Sequence, residues 1–239
     1  MKKISVAVVC ILVVSVISVL PLWAQEAITF ETLPEKLTTN IPAFPVVSQV
    51  PASVSRIMIN TLSVPTPATD IYAVISLLPG DNTITLSYID NLGEVKQTTR
   101  NIIYDPNYKT DVSELMYVNH LFNDYENPDS APRDGATVID INNHTYLGTI
   151  TDHHVIGVHP KGEKIVLSDG QIFSAVTHTA TGASLPGYET GQAVVFSHDG
   201  KFIFYDTKKV DVDTLTVVTS DLPRKIEVSS SLPDNDKRI

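Results

Sequence analysis

Cysteine is nearly absent from this chain of 239 residues. The only one, Cys10, lies in an apolar run near the N-terminus, and the only tryptophan, Trp23, follows at the end of that region. If this region is removed, the remaining chain holds no thiol and can form no intrachain disulfide. Stability must then come from apolar burial and strand pairing.

Basic residues are also scarce. The chain has 17 Lys and Arg against 27 Asp and Glu, a formal net charge of −10, with no basic block after the first residues. Because nucleic-acid binding normally needs a basic face, nucleic acid is not expected as a partner. A Gly-rich phosphate loop, a nucleophile elbow and a Cys/His pair are missing too, so no common catalytic motif is indicated.

The N-terminus has the pattern of a targeting segment. Lys2 and Lys3 precede an apolar run over 4–20, and Leu22-Trp23-Ala24 offers a cleavage site before Gln25. This pattern predicts a signal peptide over residues 1–24 and an exported protein, located in the periplasm, at the cell surface or outside the cell. An uncleaved anchor is the alternative, and it would be the chain's only contact with a membrane.

No amphipathic helical pattern follows this leader. X-Pro steps punctuate residues 25–45 and favour extended backbone, so this part is predicted to be a lead-in strand or spacer. Short runs of alternating polar and apolar residues over 46–106 are bounded by turn clusters such as Pro79-Gly80-Asp81-Asn82. Their spacing predicts a small β-sandwich.

A repeated segment dominates residues 107–239. The sequence over 158–167 is echoed over 196–205, about 38 residues later, and each copy is a β-run, a Gly-containing turn and a second β-run. A fixed period of this length is typical of stacked or radial architectures. Residues 236–239 resemble the start of a further copy, so we expect the chain to be truncated relative to a longer repeat protein.

Two known families resemble parts of this sequence. Val138-Ile139-Asp140 and Ser197-His198-Asp199-Gly200-Lys201 resemble the YVTN-type, lactonase-like β-propeller repeat, except that His198 stands where Pro is usual. The stretch over 77–93 resembles the end of bacterial immunoglobulin-like domains. These resemblances imply an all-β fold, with a small immunoglobulin-like β-sandwich over 46–106 followed by about three β-propeller-type blades over 107–239. Since a closed ring usually needs at least four blades, the expectation includes an incomplete ring that self-associates through open blade edges.

Histidines supply one candidate site. Imidazole is a common metal ligand, and Asp152 could add a carboxylate. The spacing matches no zinc or iron signature, and adjacent histidines on a strand point to opposite faces. Solvated histidines are therefore the alternative, and no other cofactor is expected. The candidate metal ligands lie close together in the sequence: His144, His153, His154 and His159.

An acidic loop supplies a second candidate site. Clustered carboxylates suit calcium, but no EF-hand or Asp-rich repeat spacing is present, and a solvated loop is the alternative reading. Loops at one rim of repeated sheets are also common binding surfaces. The candidate binding-loop residues are Asp124, Glu126, Asp129 and Asp134.

These features favour an exported, non-enzymatic binding or scaffold protein of the cell envelope or extracellular space, with an unknown protein or carbohydrate as ligand. The alternative is a propeller enzyme, or a metal- or cofactor-binding protein, that uses the region from His144 to His159. A third hypothesis is an incomplete reading frame with no independent function.

Overall fold

The computed structural model describes residues 36–51, 54–66, 68, 70–124, 131–220 and 222, and all regular elements in these residues are β-strands. The predicted all-β class is thereby confirmed for this part of the chain. No helix within it is long and apolar enough to cross a membrane. The predicted signal peptide over 1–24 and the further repeat over 236–239 lie outside the described residues.

Seven strands form the N-terminal half: β1 (Lys36–Thr39), β2 (Ala43–Gln49), β3 (Arg56–Ile59), β4 (Leu62–Val64), β5 (Asp70–Ser76), β6 (Gly80–Ile89) and β7 (Val95–Tyr104). Eleven strands follow in the described C-terminal half: β8 (Leu115–Phe122), β9 (Arg133–Asp140), β10 (Thr145–Thr151), β11 (Val155–Val158), β12 (Lys164–Leu167), β13 (Gln171–Ser174), β14 (Thr179–Ser184), β15 (Val194–Phe196), β16 (Phe202–Tyr205), β17 (Lys208–Asp211) and β18 (Val217–Thr219).

The N-terminal strands form two sheets that share one apolar core. A five-stranded sheet has the order β1-β7-β6-β3-β4, and a two-stranded sheet pairs β2 with β5. Alternation along β6 turns Ile84, Leu86 and Tyr88 inward, where they meet Phe44 and Val46 of the smaller sheet. The alternating pattern of the sequence therefore reports a sheet with one buried face.

Two of these strands begin in the segment read as a lead-in strand or spacer. β1 runs parallel to the end of β7, with Lys36 opposite Asn101, and β2 starts at Ala43. The described part of this segment is thus strand, and the first core reaches upstream of residue 46.

The C-terminal strands form three sheets. The first has the order β10-β9-β8, the second β11-β12-β13-β14 and the third β15-β16-β17-β18. The repeated sequence occupies the same place in the second and third sheets. Gly162 and Gly200 each adopt a φ of +73° in the turn between the first two strands, a conformation that favours glycine.

One backbone feature is common to all three sheets. In all three, the turn that leads into the last strand contains one residue with φ near +50°: His144, His178 and Leu215, at 49°, 50° and 54°. These non-glycine residues share one local backbone geometry. The sequence connected the first sheet to the repeat only through its Val-Ile-Asp motif.

The three sheets stack on one another. Ile165 and Leu167 of β12 point into a core shared with the first sheet, whereas Val166 of the same strand points into a core shared with the third. The second sheet is therefore buried on both faces, which explains the continuous apolar run of β12.

The two halves meet around Asn40. Its amide nitrogen donates to the carbonyl oxygens of Tyr108 and Val176, both at 2.8 Å. Its amide oxygen accepts from Thr110 Oγ1 at 3.2 Å and from His178 Nδ1 at 2.9 Å. All four hydrogen-bonding positions of this amide are filled by groups up to 138 residues away.

Candidate functional site

Three edge strands enclose the main candidate site. β8, β11 and β15 each lie at the edge of their own sheet and together border an open cavity of about 590 Å³. This volume falls within the range of ligand-binding clefts. The residues that line it are mostly apolar: Leu115, Tyr117, Val155, Ile156, Gly157, Val158, Pro160, Val194, Val195 and Phe196.

The hydroxyl of Tyr117 is the one side-chain polar group in this lining. It is buried and has no hydrogen-bond partner within the described residues. Burial raises the pKa of Tyr117, so its phenol stays protonated and can donate a hydrogen bond at neutral pH. An unpartnered buried hydroxyl costs free energy that a bound acceptor would recover.

Each of the three strands leaves one backbone edge without a paired strand. In the part of the chain that the structure describes, β8 pairs only with β9, β11 with β12, and β15 with β16. The side chain of Asn119 substitutes for part of a missing pair, because its amide binds both the N–H and the C=O of Val155 at 2.8 Å. Asn119 thereby ties β8 to the start of β11.

A group of charged residues lies where β8 ends and β11 begins. Arg133 donates to both carboxylate oxygens of Asp152, at 2.8 and 2.6 Å, and to Asp124 at 3.3 Å. The hydrogen bonds from Arg133 hold the pKa of Asp152 below its ordinary value. The guanidinium carbon also stands 5.5 Å from the ring centre of Phe122.

Two of the predicted histidines join this group. His154 Nε2 lies 3.4 Å from Asp134 Oδ1 and 3.3 Å from the carbonyl oxygen of His120. His153 Nδ1 lies 3.7 Å from Asp169 Oδ2. The structure thus brings candidates from both predicted sites together beside Val155, which follows His154 in the chain and lines the cavity. We call this the acidic rim: Asp124, Arg133, Asp134, Asp152, His153, His154 and Asp169.

The other two predicted histidines lie elsewhere. His144 is exposed in the turn between β9 and β10. His159 is buried, and its ring accepts a hydrogen bond from Lys161 N at 3.2 Å and donates one to Gly200 O at 3.1 Å. Both ring nitrogens of His159 are therefore occupied by protein groups.

The four histidines do not form one metal centre. Nowhere in the described residues do three His, Cys, Asp or Glu side chains lie close enough to hold a metal ion. The geometry instead gives each histidine a different local role. Glu126 and Asp129 of the predicted acidic loop lie outside the described residues.

Sequence reasoning missed a polar network between the halves. Tyr72 Oη lies 2.8 Å from His120 Nε2 and 2.7 Å from Thr137 Oγ1. Burial raises the pKa of Tyr72 and lowers that of His120, so both groups favour their neutral forms. No local signal marks these residues, because Tyr72 lies 48 or more positions from the other two.

Comparisons with known proteins add little to this picture. No family model matches the chain, and no curated protein matches it. One similar solved structure is a complex of KlAtg21 with the coiled-coil of AgAtg16. It has 10% sequence identity and a TM-score of 0.29, over 78% of this chain and 67% of that chain. A likeness of this size carries no argument about fold or function.

Proposed function

We propose that this protein is an exported, non-enzymatic binding scaffold, in which an immunoglobulin-like sandwich carries three propeller-type blades. The cavity between β8, β11 and β15 is the observation that carries the proposal. Two sheets around one core support the sandwich, and the four antiparallel strands of the second and of the third C-terminal sheet support the blades. The leader predicted over 1–24 supports export.

The chemistry of the cavity favours binding over catalysis. Its lining offers no nucleophile beside a base and no carboxylate pair, and its one ionisable side chain, Tyr117, is kept neutral by burial. An apolar lining with one hydrogen-bond donor can orient a ligand without activating it.

Export is tested by expressing the full-length chain in a Gram-negative host, followed by cell fractionation and N-terminal sequencing. We expect a mature protein that begins at Gln25 in the periplasmic or extracellular fraction. Full-length protein confined to the cytoplasm would contradict the proposal.

The non-enzymatic part is tested by assaying the purified protein with lactone, ester, glycoside and alcohol-dehydrogenase substrates. We expect no turnover above that of the heat-denatured protein. Turnover that is lost in Tyr117→Phe would replace a binding function with a catalytic one at the same cavity.

A metal-binding function is the second candidate, because His154 Nε2 and Asp134 Oδ1 lie 3.4 Å apart. Elemental analysis of the purified protein and of His154→Ala decides it. We expect no stoichiometric metal in either protein. A metal at one equivalent that disappears in His154→Ala would establish the alternative.

A further inference from the structure

We propose that the cavity between β8, β11 and β15 binds an extended polypeptide segment that carries apolar side chains and a basic residue. This inference rests on the proposed binding function and names the class of partner at the same site. Three features of the described residues support it: free strand edges, an apolar lining and a negative rim.

The strand edges favour a polypeptide backbone. An exposed edge presents a row of N–H and C=O groups that an added strand can pair with. Asn119 already occupies Val155, so pairing would start beyond it, along β11 or along the neighbouring edge of β15.

The lining favours apolar side chains over sugars. Val158 and Val195 are 44% and 43% exposed, so a ligand can still cover much of their surface. Apolar surface that the ligand covers is removed from water, which contributes to affinity before the entropic costs of binding. A carbohydrate would press hydroxyl groups against these side chains, which offer almost no hydrogen-bond partners.

The acidic rim favours a basic residue in the ligand. It contains four carboxylates against one arginine, and the whole chain carries a formal charge of −10. Asp134 belongs to this rim and keeps a partly exposed carboxylate beside His154. Complementary charge at the edge of a site steers a ligand and fixes its orientation.

The probe is a fluorescein-labelled decapeptide of alternating valine and lysine, measured by fluorescence anisotropy with the mature protein at about 0.15 M salt. Two matched decapeptides accompany it: one with glutamate in place of lysine, and one with an N-methyl group on every residue. We expect the valine–lysine peptide to bind, the glutamate peptide to bind at least tenfold more weakly, and N-methylation to abolish binding because it removes the pairing N–H groups.

Two protein variants locate the site. Val158→Lys places a charge in the cavity, and Val217→Lys places the same charge on β18, at an identical exposure of 44%. We expect at least a tenfold loss of affinity in the first variant, because its ammonium group replaces apolar surface and repels the lysines of the peptide, and no change in the second. Circular dichroism verifies that both variants fold.

Each failure has its own meaning. Undiminished binding of the N-methylated peptide overturns backbone pairing, and an equal loss in both lysine variants overturns the location. Binding of an oligosaccharide panel without any decapeptide shows that the ligand is a carbohydrate and overturns the inference. If no decapeptide binds, the inference fails, while export and absence of turnover still stand as separate tests of the proposed function.

Discussion

The second and third C-terminal sheets have the same four-strand order but different burial. In the second sheet Ile165, Val166 and Leu167 of β12 are all buried. In the equivalent β16 of the third sheet, burial alternates, and Phe202 and Phe204 stay partly exposed. Among the described residues, the second sheet has a neighbour on both faces, whereas the third has one. The hydrophobic pattern of a strand in this chain therefore reports how many sheets cover it.

Lys209 and Phe202 lie together on the outer face of the third sheet. Ile172 lies opposite Val166 in the second sheet, and Lys209 lies opposite Phe204 in the third. The ammonium of Lys209 stands 3.7 Å from the ring centre of Phe202, where it covers the ring and keeps its charge near water.

The largest effect on stability is expected when a lysine is placed in the second sheet at the position that corresponds to Lys209 of the third. Ile172→Lys places an ammonium at a position that is 3% exposed and packed against the third sheet. Because an unpaired charge would be buried, we expect a loss of about 4 kcal/mol or more in the free energy of unfolding. Urea denaturation measures it, and a loss below about 1 kcal/mol would show that the two sheets do not pack together.

The second-largest effect is a pH dependence of the free energy of unfolding, caused by His178 in the second sheet. Burial lowers the pKa of His178 to about 4. The unfolded chain, with a histidine pKa near 6.5, binds the proton more tightly, so this stability is complete above about pH 6.5 and is lost as the pH falls toward 4. At pH 4.5 the loss should reach about 2.5 kcal/mol.

Matched variants isolate this effect. His178→Asn should lower stability at pH 7 but remove this part of the loss between pH 7 and 4.5. His144→Asn, at the equivalent and exposed turn position, should leave the pH dependence unchanged. Urea denaturation at both pH values measures the difference. Identical pH profiles for the two variants would contradict the burial of His178.

The third effect compares glycines at similar φ. A Cβ at Gly162 would overlap the backbone carbonyl oxygen of Val112, and one at Gly200 would overlap the ring of His159. A Cβ at Gly182 would meet open space. We expect Gly162→Ala to cost about 2 kcal/mol and Gly182→Ala about 1 kcal/mol, from left-handed backbone alone, with Gly200→Ala between them. Equal decreases in melting temperature for all three variants would contradict the close contacts of Gly162 with Val112 and of Gly200 with His159.

The smallest effect on stability is expected for Lys209→Ile. The change should alter the free energy of unfolding by less than about 0.5 kcal/mol, because the side chain lies on the outer face. It also enlarges the apolar surface beside Phe202, so we expect more self-association in sedimentation velocity. A loss above about 1 kcal/mol would place this residue in a packed interface.

Local features of the sequence foretold much of the C-terminal fold. The repeat turns at Gly162 and Gly200 were visible because a positive φ and a fixed period leave a direct trace in the sequence. β14 was not foreseen, since its residues, Thr179–Ser184, are small, mostly polar and largely exposed. The bond between Asn40 and His178 could not be foreseen either, because it joins residues 138 positions apart.

The candidate site was foreseen only in part. The sequence assigns His153 and His154 to a histidine site and Asp134 to a separate acidic loop, whereas the structure brings all three to the acidic rim. His144 and His159, grouped with the first two because they are close in the sequence, each lie in a separate turn. The cavity itself left no local signal, since three strands from separate sheets build it.

Hydrogen–deuterium exchange of the mature protein, alone and with the valine–lysine decapeptide, shows most directly whether an extended peptide pairs with the strands that border the cavity. We expect amides of β11 or β15 beside the cavity to exchange readily in the free protein and to become protected when the peptide is bound, while amides of β18 do not change. Protection spread evenly over the surface, or confined to β18, would contradict it.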